Sequence, residues 1–426
     1  MANKETKDKQ KVSNWCLISM ASIPLIMTLG NSMLIPVLPI LEKRVHITPF
    51  QSSLIITSYS LASIFLIPVA GYLSDRIGRK KVIVPSLIIV LAGGLVSAWA
   101  CWKMASPFWT IIIGRVLQGI GAAGAAPIVM PLVGDLYKKE EDASSCLGII
   151  ETSNTAGKVL SPILGSLLAA WFWFLPFFSI SIFSAISILM VLFFIKAPKK
   201  MEKPKAMKEF ITNTKKIFKN EGRWLYIIFI AGCFAMFILF AVQFYLSQEL
   251  ETKYDLKGIK KGLLLAVPLA FLCLSSFITG RKIKGDKKLM KKIIYGALVI
   301  LAVSVAFTST FKNMYLLLGA TSIFGISVGL LLPTLDALIT ENIEKEERGT
   351  ITSFYSSARF IGVAVGPPFM AFLLKGSPFW GFIGSAAGSL VLVFLVKKFI
   401  RVEDESPREP KGKNNKSMTR PEPAPQ

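Results

Sequence analysis

The chain has 426 residues, 53% of them hydrophobic, and a mean hydropathy of +0.56, so no water-facing surface could be built from it. Its formal charge of +23 would suggest a nucleic-acid partner in a soluble chain. Here the Lys and Arg sit in short segments beside long apolar runs, where they set orientation in a bilayer.

From the N-terminus, a polar start (1–14, with Lys4, Lys7, Lys9 and Lys11) leads into an apolar run at about 15–41, too long for the core of a cleavable signal. A spanning helix needs about 20 largely apolar residues. Twelve such runs follow one another, at about 15–41, 50–72, 80–102, 108–136, 144–170 and 173–196, then 223–248, 260–282, 291–311, 314–340, 349–374 and 378–399. The predicted architecture is therefore an all-α membrane protein of twelve transmembrane helices in two six-helix bundles, 15–196 and 223–400. A Lys-rich cytoplasmic linker with Pro198 and Pro204 joins them at 197–222, and a Pro-rich tail at 401–426 reads as disordered and cytoplasmic. Placing both termini in the cytoplasm puts most of the 49 Lys and Arg on that side and leaves Arg115, Lys158 and Arg359 inside spans. Spans containing Pro68, Pro127, Pro131, Pro162, Pro268, Pro333 and Pro367 can bend.

Between the second and third runs stands Gly71 Tyr72 Leu73 Ser74 Asp75 Arg76 Ile77 Gly78 Arg79 Lys80 Lys81, a cationic turn punctuated by glycine. A shift of 205 residues aligns Gly157, Pro162 and the acidic turn Glu141 Asp142 with Gly362, Pro367 and Glu346 Glu347, so the halves are related copies. The second turn, Gly280 Arg281 Lys282 Ile283 Lys284 Gly285 Asp286, keeps the basic character and lacks the acid matching Asp75. Cys16, Cys101, Cys146, Cys233 and Cys273 lack metal or redox spacing and read as packing residues.

The first turn resembles the loop between helices two and three of the major facilitator superfamily. Arg115 Val116 Leu117 Gln118 Gly119 in the fourth span is similar to that family's second motif. Gly157, Pro162 and Gly165 in the fifth span resemble its antiporter motif, with Ser161 where glycine is expected; Gly362, Gly366 and Pro367 are the repeat's copy. The resemblance covers about 15–400 and implies two bundles rocking about a site near mid-membrane. It implies a gating motif of Gly71, Asp75, Arg76, Gly78, Arg79 and Asp135, with Asp75 facing the N-terminus of the eleventh span and Arg79 paired with Asp135. For Arg76 the reading from the residues alone is that its charge sets topology.

Intramembrane charge is kept for function or for a buried partner. Glu151, Asn154 and Lys158 share one helix face, and Asp336 and Arg359 supply one charge of each sign from the other half. The proton-coupling candidates are Glu151, Asp336, Arg115, Lys158 and Arg359, with Glu151 or Asp336 carrying the proton. The alternatives are neutral pairs that hold helices together and, for Arg115, a clamp on backbone carbonyls. Substrate-binding candidates are Asn31, Tyr59, Gln118, Asn154, Phe240, Gln243, Phe244 and Tyr355, with Met27 beside them. Gly119 joins the antiporter glycines as a helix-packing position. His46, the only histidine, falls in an external loop.

The sequence thus predicts a proton-coupled exporter of amphipathic small molecules, similar to the twelve-span drug:proton antiporter branch. It is expected to be a monomer in the cytoplasmic membrane with no enzyme activity, cofactor, metal ion or nucleic acid. The alternatives are a dedicated exporter of an endogenous metabolite such as a siderophore or metallophore, or a lipid-linked flippase. Because the first span has no acid near Asn31, no proton pathway is expected there.

Overall fold

A computed structural model describes residues 13–137, 140–195, 212, 216–219, 222–283, 286–308, 310–311, 313–343 and 345–400, without the side chains of 140–144, 345 and 346. The predicted polar start, most of the linker, Lys284, Gly285, the acidic side chains Glu141, Asp142 and Glu346, and the tail lie outside the described residues.

The first span is broken into α1 (Asn14–Ser32), a 3-10 turn (Ile35–Val37) and α2 (Leu38–Val45). Pro36 and Pro39 cannot donate to the helix ladder. Spans two and three are α3 (Pro49–Ile77) and α4 (Arg79–Lys103). The fourth is also broken, into α5 (Phe108–Ala123) and α6 (Ala126–Leu136), at Gly124 ahead of Pro127. Then come α7 (Glu140–Trp171), α8 (Leu175–Phe194), α9 (Arg223–Thr252), α10 (Gly258–Ile283), α11 (Lys287–Thr308), α12 (Met314–Asn342), α13 (Lys345–Leu373) and α14 (Pro378–Phe399). Among the described residues eleven spans are long and apolar enough to cross a membrane. The remaining one, α7, has 32 residues; Glu151, Asn154 and Lys158 lower its hydropathy because one of its faces is polar.

Helix pairing repeats. In the first half α1 packs on α7 and α8, α3 and α4 pack on α5, and α4 on α8; in the second, α9 packs on α13 and α14, α10 and α11 on α12, and α11 on α14. One pattern becomes the other by a shift of six spans. The halves meet where α3 packs on α13 and α7 on α10, and the same shift exchanges these two seams.

Glycines of the two halves' antiporter-like motifs are where the backbones touch. A methyl added at Gly165 would run into the Met33 carbonyl on the first span, and one at Gly362 into the Cys233 carbonyl on α9. In lipid, this close van der Waals packing holds helices together, because the hydrophobic effect offers little between them. Gly78, at φ +107°, ends α3 and begins α4, a backbone that L side chains rarely adopt.

Two faces can now be distinguished. The hinge face carries the Gly71–Lys81 turn, and its helix ends are rich in Arg and Lys. The far face carries the 253–257 loop and exposed Trp102, Trp109, Trp171 and Trp380, a belt suited to a membrane interface.

Candidate functional site

Four of the sequence's intramembrane charges converge between the halves. Asp336 on α12 faces Arg359 on α13, whose Nη1 donates to Oδ1 at 3.4 Å and Oδ2 at 3.5 Å. The Asp336 side chain is 43% accessible although Leu335 and Leu338 beside it are buried. It is therefore open toward the space it shares with Arg359, Glu151 and Lys158, six residues (roughly 9 Å) from the hinge-face end of its helix. On α7, Asn154 Nδ2 donates to both Glu151 oxygens at 3.3 and 3.4 Å, and Thr28 of α1 donates to Asn154 Oδ1. One turn further, Lys158 lies within electrostatic reach of Glu151, Asp336 and Arg359. No Glu151–Lys158 ion pair forms among the described residues; seven residues put about 10 Å of rise between them. The cavity thus brings two acids and two cations together from opposite halves.

Arg115 is held differently. Fully buried, it donates from Nε to the Ile55 carbonyl (2.9 Å), from Nη1 to the Gly30 carbonyl (3.1 Å) and Gln118 Oε1 (2.5 Å), and from Nη2 to Asn31 Oδ1 (3.0 Å). Its guanidinium lies 4.5 Å from the centre of the Tyr59 ring. This is the carbonyl-clamp geometry, tying the first, second and fourth spans; it engages Asn31 Oδ1, Gln118 Oε1 and the Tyr59 ring, and leaves the Gln118 amide nitrogen without a partner among the described residues. Of the other predicted cavity residues, Phe240 and Phe244 lie in a buried apolar cluster drawn from both halves. Tyr355 is buried against Gly232 beneath Arg359, and Gln243 is buried with its amide nitrogen unpartnered among the described residues. Of that set, Asn154 is hydrogen-bonded into the charged cluster and Tyr355 stacks its ring under Arg359.

A second cluster closes the far face. Lys261 Nζ donates to Glu251 Oε2 at 2.8 Å and to the Pro36 carbonyl at 2.9 Å; Lys43 donates to Glu251 Oε1 at 2.8 Å and Gln248 to Glu42 Oε1 at 2.7 Å. Ser247 donates to the Ile35 carbonyl at 2.9 Å, which also accepts from the Leu38 N–H of the 3-10 turn, while Pro39 has no N–H to give it. The α3–α13 seam uses the same device: Thr57 donates at 2.6 Å to the Ala364 carbonyl, which Pro368 leaves free. Only 2% of the Glu251 and Lys261 side chains is exposed. In the loop beyond, Lys257, hydrogen-bonded at 2.6 Å, holds the Asp255 carboxyl below the usual carboxylate range.

Sequence reasoning missed this latch, because Glu251 and Lys261 sit at span ends, where charge normally only flanks a loop. The available signal was a pair of spans whose charged ends are separated by a very short connection. A cavity of about 520 Å³ lined by Lys43, Arg44, Glu251 and Lys257 lies over the latch, away from the central charges.

At the hinge face, Arg79 pairs with Asp75, donates from Nε to Asp135 Oδ2 at 3.1 Å, and reaches Ser74 Oγ at 2.6 Å. Gly71 lies against Ser353 of α13, so the second and eleventh spans stay close there. Lys80 donates to the Leu192 and Ile195 carbonyls at 2.8 and 2.7 Å, capping α8.

Twelve spans in two repeated halves, a glycine-bracketed cationic turn and opposed charges between the halves define a membrane transporter, and the chain belongs to the major facilitator superfamily. The model of that family, described as Major Facilitator Superfamily, matches residues 20–367 and again 291–424.

Among individual relatives, a "Bacillibactin exporter" of Bacillus subtilis (strain 168) is 55% identical over 381 residues, 89% of this chain and 95% of that protein. "Multidrug resistance protein 2" of the same organism is 24% identical, over 80% of this chain and 84% of that one. The fold matches a D-xylose-proton symporter (TM-score 0.74, 14% identity, 91% of this chain and 98% of the other). It also matches the human organic anion transporter MFSD10 (TM-score 0.71, 17% identity, 90% and 99%).

Proposed function

We propose that this protein exports a siderophore-class small molecule across the cytoplasmic membrane by alternating access, in exchange for protons taken up at Asp336. The observation that carries the cargo assignment is the 55% identity, over 89% of the chain, to the bacillibactin exporter. Of the two exporter readings open from sequence, this favours the dedicated one.

With the basic hinge face on the cytoplasm, the sealed far face and the accessible Asp336 correspond to an inward-facing state ready to load. An ionised Asp336 can accept a hydrogen bond from a cargo hydroxyl, whereas its protonated form loses much of that acceptor capacity. Proton and cargo then compete for one group, and differential binding to the two states of the fold turns that competition into exchange. Asp336 is preferred to Glu151 as carrier because its side chain is accessible although it sits within a span. Both halves that flank the charged cluster come from one chain, which supports a monomeric transporting unit.

Reconstituted full-length protein in liposomes with an imposed pH gradient should move bacillibactin and carry protons the opposite way. A second reading, export of cationic amphipathic drugs, is favoured by the accessible acid and by the 24% identity to Multidrug resistance protein 2. Gradient-driven ethidium transport with no bacillibactin transport would establish that reading instead.

A further inference from the structure

Three cations lie inside the spans, and they differ in how many of their hydrogen-bond donors are already used. All three guanidinium nitrogens of Arg115 donate, so it has little left to offer a ligand. Arg359 donates only from Nη1, at 3.4 and 3.5 Å, to one acid. The Lys158 ammonium, with three donors, makes no hydrogen bond or ion pair among the described residues. It cannot reach a membrane surface, since thirteen residues of helix, roughly 20 Å, separate it from the far-face end of α7. Gly157 lies close against Leu25 and Thr28 of α1, and the Pro162 carbonyl close against Gly262 of α10, so α7 is packed on both of these helices around Lys158.

Lys158 and Arg359 come from opposite halves, and each lies within electrostatic reach of the other. Glu151 and Asp336 balance these two cations without filling their donors, Arg359 being held only at 3.4 and 3.5 Å and Lys158 by no hydrogen bond among the described residues, so acidic cargo oxygens can take the acids' place. The Tyr355 ring, 5.7 Å from the Arg359 guanidinium, backs that side of the site.

We propose that Lys158 and Arg359 together anchor the cargo, taking a phenolate, hydroxamate or carboxylate oxygen group between the halves, and that Lys158 sets the preference for acidic over cationic molecules. This deepens the siderophore reading and rests on it for the cargo's identity, while the chemistry of the anchor is independent of it. A cargo held by both residues draws the halves together on the hinge side, and loading thereby promotes closure.

The test is equilibrium binding to the full-length protein in nanodiscs, with bacillibactin and salicylate as acidic probes and ethidium as the cationic one. Lys158→Met should weaken both acidic probes by about tenfold or more, the loss expected for a hydrogen bond from a charged group. Lys158→Arg should restore most of that affinity, and ethidium binding should not weaken. Independently of any variant, saturating salicylate should protect Lys158 of the unmodified protein from reductive methylation while leaving Lys81 reactive.

Unchanged acidic-probe affinity in Lys158→Met, absence of protection, or binding of ethidium alone overturns the anchor. Bacillibactin transport with a Lys158-independent affinity leaves the siderophore reading standing without the anchor. Lys158-dependent salicylate binding without bacillibactin transport does the reverse.

Discussion

The far-face latch and the central cluster are built from the same chemical parts and behave as opposites. Glu251 and Lys261 are 2.8 Å apart with 2% of each side chain exposed, and their remaining contacts go to the other half of the molecule. Asp336 and Arg359 are 3.4 Å apart, 43% and 20% exposed, and leave most of the guanidinium unused. Desolvation makes the difference. Opposite charges sealed from water must stay paired, so they serve as a clip, whereas charges that share a wet cavity can change partners, so they can serve a passing ligand.

The comparison is broken most severely at the latch. Glu251→Leu strands the Lys261 ammonium in a dry site and should lower stability by about 3–5 kcal/mol, read as a fall in melting temperature in micelles. Adding Lys261→Met to it should recover most of the loss. Next in size is the gate itself. Removing the Lys261 contact to the Pro36 carbonyl with Lys261→Met should favour the outward-open state, and a cysteine at Ser247 should then react with an impermeant thiol reagent about tenfold faster, one charged hydrogen bond's worth. In the central cluster, Arg359→Leu should alter stability by no more than about 1 kcal/mol, because its partner is accessible to water, while acidic-probe binding falls. Smallest is Lys43→Gln: Lys43 is 61% exposed, so the effect should be about 0.2–1 kcal/mol and vanish in high salt.

Much of this was legible in the chain. The period of apolar runs marked every span, since lipid imposes a length that sequence must meet. Gly157, Pro162, Gly362 and Pro367 exposed the repeat because close backbone approach admits no larger side chain. Lys158, Asp336 and Arg359 stood out because charge is rare inside spans. The latch was not legible, since whether Glu251 and Lys261 are buried depends on how the other half docks over them, and no local pattern records that. The breaks after Ser32 and Ala123 were likewise hidden, because prolines in spans mostly bend helices, and only the partners waiting for the freed carbonyls decide otherwise. Phe240 and Phe244 have the chemistry of a pocket lining, and burial in a cluster that spans both halves is a tertiary fact that no local pattern records.

The central claim, that the accessible acid couples transport and the sealed acid only holds the gate, is tested most directly by following cargo-driven proton movement in liposomes for Asp336→Asn beside Glu251→Gln. The account predicts that Asp336→Asn abolishes proton movement while bacillibactin exchange persists, and that Glu251→Gln keeps the two linked. Intact coupling in Asp336→Asn, or its loss only in Glu251→Gln, would contradict it.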